Sequence, residues 1–285
     1  LTGATGYVGG AVLDALVKAG HEVTALVRDN EKARRVGKRG AHPIVGNLAE
    51  PDSYKAAADA QDGYIHTAYD RPSGKTVEID RIAIDTIIAA AKRPRTASPS
   101  APASRFIIYT SGVWVIGPAP DGATEEAPLN PTPLAAWRPA HEDLVLGAAS
   151  ASLRTMVVRP GVVYGNGGGI VGDLLKMASN GLVRVVGDGN NHWPLIYDRD
   201  LADLYARLAG SPDASGIYHA NDEGDERVND IIAAIKPHVA HKPDVRYVPI
   251  EEARSKLGQF ADAMALDQVV RSPRARALGW APSLR

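Results

Sequence analysis

The chain has 285 residues, with 32 Lys+Arg against 33 Asp+Glu and no cysteine. Balanced charge leaves no electrostatic footprint for nucleic acid, and the absent thiols exclude disulfides, thiolate metal sites and a cysteine nucleophile. No apolar run approaches the roughly 20 residues that span a bilayer and no secretory leader is visible, so the expectation is a cytoplasmic protein off the membrane, long enough for a two-lobed core.

Leu1-Thr2-Gly3 reads as the last step of a strand entering a glycine turn. Strands usually run about 5–6 residues, so the natural start is expected upstream of Leu1. Ala11, Val12, Ala15, Leu16 and Ala19 recur at helical spacing until Gly20 stops the run. His21–Val27 predicts a buried strand, and Pro43–Val45, Tyr64–Ala68, Arg105–Thr110 and Thr155–Arg159 predict further ones. Between them Val77, Ile79, Ile82, Ala83 and Ile87 predict a helix over Thr76–Lys92. Strands alternating with helices predict a parallel sheet covered on both faces. Arg93 to Ser104, rich in Pro, Ser and Ala, reads as a surface insertion. Past Gly165 the alternation loosens into a helix at Ile170–Asn180, a strand at Val183–Val186 and a helix at Arg199–Ala209.

Thr2–Gly10 sets glycines at G-x-x-G-x-x-G spacing between the first strand and the first helix. Gly3 permits the tight turn, Gly6 lets the backbone approach a pyrophosphate, and Gly9 lets helix and strand pack closely, with the helix N-terminus facing the phosphates. A strand before the motif and a helix and strand after it make this a dinucleotide-binding pattern. Gly3, Thr5, Gly6, Tyr7, Val8 and Gly9 are its candidate contacts. The next strand ends at Val27-Arg28-Asp29, where an arginine suits the 2′-phosphate of NADP and a carboxylate the 2′-hydroxyl of NAD. Arg28 comes first, which favours NADP, with NAD through Asp29 as the alternative. The expected fold is α/β: a Rossmann doubly wound parallel sheet over residues 1–165, with 198–220 packing on it, and a smaller substrate lobe from 166–197 and 221–285.

Thr2–Gly10, Gly46-Asn47-Leu48, His66-Thr67-Ala68, Tyr109-Thr110-Ser111-Gly112, Arg159–Gly165 and Asp200-Leu201-Ala202, in this order and spacing, resemble the extended short-chain dehydrogenase/reductase superfamily, the epimerase/dehydratase-like branch. The resemblance covers nearly the whole chain. It implies that Asn47 and Leu48 meet the adenine, that Thr67, Ala68, Tyr69 and Thr110 line the cofactor, and that Pro160, Gly161 and Val163 flank the nicotinamide. It also implies that Ser111 hydrogen-bonds the reacting carbonyl. The family's tyrosine and lysine, four apart on one helix, are replaced by Trp137 and His141. Indole has no proton that titrates usefully near neutral pH. Pro139 belongs in a first helical turn, which places His141 there too, where a neutral imidazole would reach the ribose. Tyr164 is a further candidate acid, so the catalytic candidates are Ser111, His141, Trp137 and Tyr164.

The resemblance implies an arginine after Gly187-Asp188-Gly189 to read a sugar-nucleotide diphosphate; Asn190 to Leu195 supply none, and Trp114 and Trp193 are candidates either for an apolar pocket or for the core. Histidines 192, 219, 238 and 241 show no metal-ligand spacing, so no metal is expected. The leading reading is an atypical NAD(P)-dependent oxidoreductase acting on a small carbonyl or alcohol substrate. An epimerase/dehydratase-like enzyme and a catalytically inactive cofactor-binding sensor or scaffold are the alternatives. The resemblance implies a homodimer paired through Thr76–Lys92 and Leu144–Ser150.

Overall fold

The computed structural model describes residues 1–70, 74–94 and 104–284. Most of the expected surface insertion at Arg93 to Ser104 lies outside the described residues. The chain divides into two units, one of residues 1–111, 139–158 and 202–218, the other of residues 112–138, 159–201 and 219–285. Residues 112–138 and 159–165, expected with the first lobe, cluster with the second.

In the first unit Tyr7–Lys18 forms α1, Thr24–Val27 β1, Asn30–Gly37 α2, His42–Val45 β2, Lys55–Asp59 α3, Gly63–His66 β3, Thr76–Ala91 α4, Arg105–Thr110 β4 and Arg138–Leu146 α5. β1 pairs in parallel with β2, and β4 in parallel with both β3 and the strand that begins at Leu153. Thr2 bridges Leu26 and His66, both in parallel. It therefore occupies the central strand position between β1 and β3, as the opening tripeptide predicts.

The expected strand from His21 starts only at Thr24 because the preceding residues close α1. The His21 N–H donates to Leu16 O and that of Gly20 to Val17 O, with Gly20 at φ +87°, a helix stop that spends the backbone before the strand can begin. α4 lays Ala83, Ile84, Ile87, Ala90 and Ala91 into a core with Tyr64, Ile107, Tyr109 and Val157, and Val145 and Ala148 join the same cluster. Much of the apolar surface expected to pair two copies is thus spent inside the unit, while Val77 is 45% exposed.

The second unit contains three two-stranded parallel ladders: Val162–Tyr164 with Leu195–Tyr197, Leu182–Val186 with Asp244–Val248, and Ala119–Ala123 with Gln268–Val270. One of its clusters joins Leu174, Val183 and Val185 to Val228, Ile231 and Ile232. Trp193 belongs to that cluster, 3% exposed, with its Nε1–H donating to Met264 O at 3.2 Å. Of the two roles open to Trp193, pocket wall or core, its indole takes the core one. Trp114 packs edge-on against Phe260 at 6.1 Å between ring centroids.

Candidate functional site

The glycine turn is built as its spacing requires. Gly3 sits at φ +76°, a region that costs any residue with a Cβ. A Cβ on Gly9 would lie 2.2 Å from Gly3 O and 2.4 Å from Thr67 Oγ1, so only glycine lets α1 approach the turn this closely. Gly6 caps α1 with no side-chain hydrogen bond. The first N–H groups of a helix have no acceptor within the helix itself. Such an end, flanked by Thr5 and close-packed glycine backbone, fits a pyrophosphate.

At the ribose end the two candidates separate. Asp29 caps α2, accepting from the Lys32 N–H at 2.8 Å through Oδ1 and from Lys32 Nζ at 2.6 Å through Oδ2. Those bonds hold its carboxyl below the usual carboxylate range. The Arg28 side chain is 65% exposed and lies 3.6 Å from Asp70. Asn47 is exposed, with its Oδ1 accepting from Ala49 N–H and its Nδ2 donating to Glu50. Its Leu48 neighbour is half-buried.

Thr67, just past β3, donates through Oγ1 to Thr2 O at 2.8 Å, and so pins the glycine turn to the end of that strand. Ala68 lies half-buried against Gly3, and Tyr69 is 41% exposed. Thr110 ends β4 with its hydroxyl 2.6 Å from that of Tyr205. Ser111 follows, 8% exposed, its N–H bonded to Val158 O. Its Oγ is buried and has no hydrogen-bond partner among the described residues. An unsatisfied buried hydroxyl costs about 1–3 kcal/mol, and an oxygen of a ligand or of a water would satisfy it.

His141 lies in the first turn of α5, as Pro139 predicts, but it is 5% exposed and its Nδ1 is 2.7 Å from Asp80 Oδ2. Asp80 was not among the residues singled out in the sequence. It also accepts from His66 Nε2 at 3.1 Å and from the Tyr109 hydroxyl at 2.8 Å. The second His66 nitrogen meets Thr2 Oγ1 at 2.7 Å, and the His66 and Tyr109 rings stack at 5.9 Å. Burial opposes ionisation of Asp80, but the bonds from His141, His66 and Tyr109 outweigh it and hold the carboxyl well below the usual carboxylate range. A carboxylate with three donors fixes the histidine tautomers: Nε2–H on His66 and Nδ1–H on His141.

In the second unit Trp137 sits in a turn one residue before α5, with the Arg138 guanidinium 4.5 Å over its ring. Past Pro160, Gly161 donates to Ala220 O, and Val163 and Tyr164 lie half-buried on a short strand. The Tyr164 ring is 5.7 Å from that of Tyr197. Its phenol is pushed up to about 12, by burial first and then by Asp222, Asp200 and Glu226. Tyr164 therefore stays protonated near neutral pH and is a poor proton shuttle. His192 has a carboxylate partner, Asp267 at 2.8 Å, which the sequence spacing does not reveal. Among the described residues no group of three His, Cys, Asp or Glu could hold a metal.

Residues 1–221 match the family model described as the NAD dependent epimerase/dehydratase family. An uncharacterized protein of Schizosaccharomyces pombe is 29% identical over 297 residues, covering 99% of this chain and 94% of its own length. The 2-alkyl-3-oxoalkanoate reductase of Stenotrophomonas maltophilia is 30% identical over 82% of this chain and 74% of its own. Human epimerase family protein SDR39U1 (isoform 2), solved with NADPH, superposes with a TM-score of 0.79 at 21% identity, covering 99% of this chain and 94% of that one. The fold is that of the Rossmann-type members of this group.

Proposed function

The chain belongs to the NAD dependent epimerase/dehydratase family, and on that premise we propose that it is an NADP-dependent oxidoreductase acting on a small carbonyl or alcohol substrate. The observation that carries this reading is Ser111: a buried hydroxyl without a partner among the described residues, at the carboxyl end of β4. In a parallel sheet that is the edge where ligands bind. A bound nicotinamide cofactor supplies or accepts the hydride. The chain's own part is to hold the pyrophosphate at the glycine turn and the N-terminus of α1, to read the 2′-phosphate with Arg28, and to hold the substrate oxygen with Ser111 Oγ. The relative from Stenotrophomonas maltophilia is a reductase, which supports this direction over epimerisation or dehydration. The reading also carries a homodimeric assembly and a cytoplasmic location, both resting on the family resemblance and composition rather than on a contact in this chain.

A second reading has a specific observation behind it. Trp137 stands where the family has its acid, and indole cannot exchange a proton near neutral pH, as in a cofactor-binding sensor without turnover. The deciding experiment follows NADPH oxidation with a panel of small ketones, aldehydes and 3-oxo acids, comparing wild type with Ser111→Ala. Substrate-dependent oxidation is expected, with kcat reduced by about 10²–10³-fold in the variant if the bond tightens in the transition state. Tight NADPH binding with no turnover on the whole panel favours the sensor.

A further inference from the structure

A line of buried hydrogen bonds leads from α4 to the glycine turn. Asp80 Oδ1 accepts from His66 Nε2 at 3.1 Å, and His66 Nδ1 stands 2.7 Å from Thr2 Oγ1. All three side chains are buried. With its proton on Nε2, His66 has a bare lone pair on Nδ1, so the Thr2 hydroxyl donates to it. The other carboxylate oxygen, Oδ2, accepts from Tyr109 and His141, and these bonds keep Asp80 from turning away from His66. Such a set of polar side chains is costly to bury unless its members are satisfied, and a plain core would be filled by apolar ones.

Thr2 is the residue on which the turn is mounted. Its N–H donates to Ile65 O at 3.0 Å, and its O accepts from Thr67 Oγ1 at 2.8 Å. The next residue, Gly3, sits at φ +76°, and its O accepts from the Gly6 N–H at 2.8 Å. A Cβ on Gly3 would lie 2.7 Å from Ala68 N and from Thr67 Oγ1, so the turn has no slack against the end of β3. The backbone ladder runs in the plane of the sheet, whereas side chains stand out of it. The Thr2 hydroxyl therefore adds a tie out of that plane, to a ring anchored on α4.

We propose that Asp80 and His66 are positioning residues for the cofactor's pyrophosphate: the carboxylate sets the His66 tautomer, the ring holds the Thr2 hydroxyl, and the glycine turn that follows is kept in the shape that receives the phosphates. Both act through Thr2 and neither touches the cofactor. The proposal rests on the cofactor-binding part of the reading above. The effect is one of preorganisation, since a turn already in its bound shape has less freedom to lose. Without the tie the turn samples other shapes, and affinity falls with the fraction that remains competent.

Calorimetric titration of the full chain with NADPH and NADH compares the wild type with Thr2→Val, which keeps the shape but removes the hydroxyl, and with Thr2→Ser, which restores it. Thr2→Val should bind the tighter of the two cofactors roughly three- to tenfold more weakly, as befits the loss of one neutral hydrogen bond. Thr2→Ser should bind like the wild type. A Thr2→Val that binds like the wild type, whatever its Tm, overturns the proposal, and so does a Thr2→Ser as weak as Thr2→Val. Nitrogen-15 spectra of the imidazole rings, with His66 identified by its loss in His66→Gln, should show the Nε2–H form in the wild type. In Asp80→Asn the amide keeps its oxygen toward Tyr109 and His141 and turns its NH2 to His66, so the Nδ1–H form should take over. An Nδ1–H ring in the wild type, or an Nε2–H ring that Asp80→Asn leaves unchanged, overturns the proposal. If Asp80→Asn does not fold, the wild-type tautomer and the two Thr2 variants still decide. A wild type that binds neither cofactor overturns the cofactor reading and the proposal with it, whereas one that binds and fails a test above overturns the proposal and leaves that reading standing.

Discussion

Arg28 Nη1 lies 3.6 Å from Asp70 in a side chain that is 65% exposed, while neighbouring Asp29 spends both oxygens on Lys32. An exposed ion pair contributes about 0–1 kcal/mol, whereas a charge-assisted contact to a 2′-phosphate contributes about 1.5–3 kcal/mol, so the phosphate wins Arg28 from Asp70. Arg28→Ala is accordingly expected to weaken NADP roughly ten- to a hundredfold and to leave NAD nearly unchanged, as read by calorimetric titration of both cofactors. Equal losses for the two, or a wild-type preference for NAD, would remove Arg28 from the ribose end. The order Arg28-Asp29 was legible in the sequence, but the capping role that occupies Asp29 follows only from where α2 begins. Asp80 was legible in principle. It lies three and four residues before Ala83 and Ile84, on the buried stripe of α4. Between Glu78 and Arg81, however, it reads as one more charge on a wet face. His66 and His141, 14 and 61 residues away in sequence, give no local sign that they share it.

At the scale of the element, the turn from Thr2 to α1 is the part of the fold most fully written in the sequence. Its glycines answer to sterics that spacing reports directly. Gly9→Ala would place a methyl carbon 2.2 Å from Gly3 O and 2.4 Å from Thr67 Oγ1, and backbone on one side cannot yield as a flexible side chain would. Gly9→Ala should therefore displace α1 from the turn, with NADPH affinity falling at least about tenfold, a cost of ~1.4 kcal/mol or more, and a lower Tm. Gly20→Ala is the control, since nothing lies within 4 Å of its added carbon, although its φ of +87° lowers Tm without touching the cofactor site. If both variants bind NADPH like the wild type, the close approach at Gly9 does not matter. Other elements were less legible. Ala119–Ala123, with the sequence Ala-Pro-Asp-Gly-Ala, has no apolar alternation, yet it pairs with Gln268–Val270. Its partner stands about 150 residues away, and a strand held by such a remote neighbour carries no periodic signal of its own. α5 begins where Pro139 requires, and the same proline, with Arg138, leaves Trp137 outside it.

Considered as a whole molecule, each unit buries a titratable group whose protonation in acid favours the unfolded chain. In the first unit the Asp80 carboxyl is depressed in the folded state. As pH falls through about 4, the ordinary carboxylate range, the unfolded chain binds the proton first. Its contribution is thus complete above that pH and lost below it. In the second unit His219, 0% exposed, is lowered from 6.5 to about 4 by burial, then by the Arg159 charge, against a weaker opposing bond to Arg271 O. The folded state therefore holds neutral imidazole where the unfolded chain takes up a proton. That contribution is complete above pH 6.5 and is lost as pH falls toward 4. The two windows follow one another, so stability should begin to decline near pH 6.5 and go on declining below about 4, by up to roughly 1.4 kcal/mol per pH unit for each proton taken up. Thermal unfolding followed from pH 7.5 to 3 reads this directly. His219→Gln should flatten the decline between pH 6.5 and 4 while leaving the acid limb, and Asp80→Asn should remove only the acid limb. A wild-type Tm that stays level from pH 7 to 5, or a decline in that window that His219→Gln does not flatten, would show that neutral His219 is not what the second unit loses in mild acid.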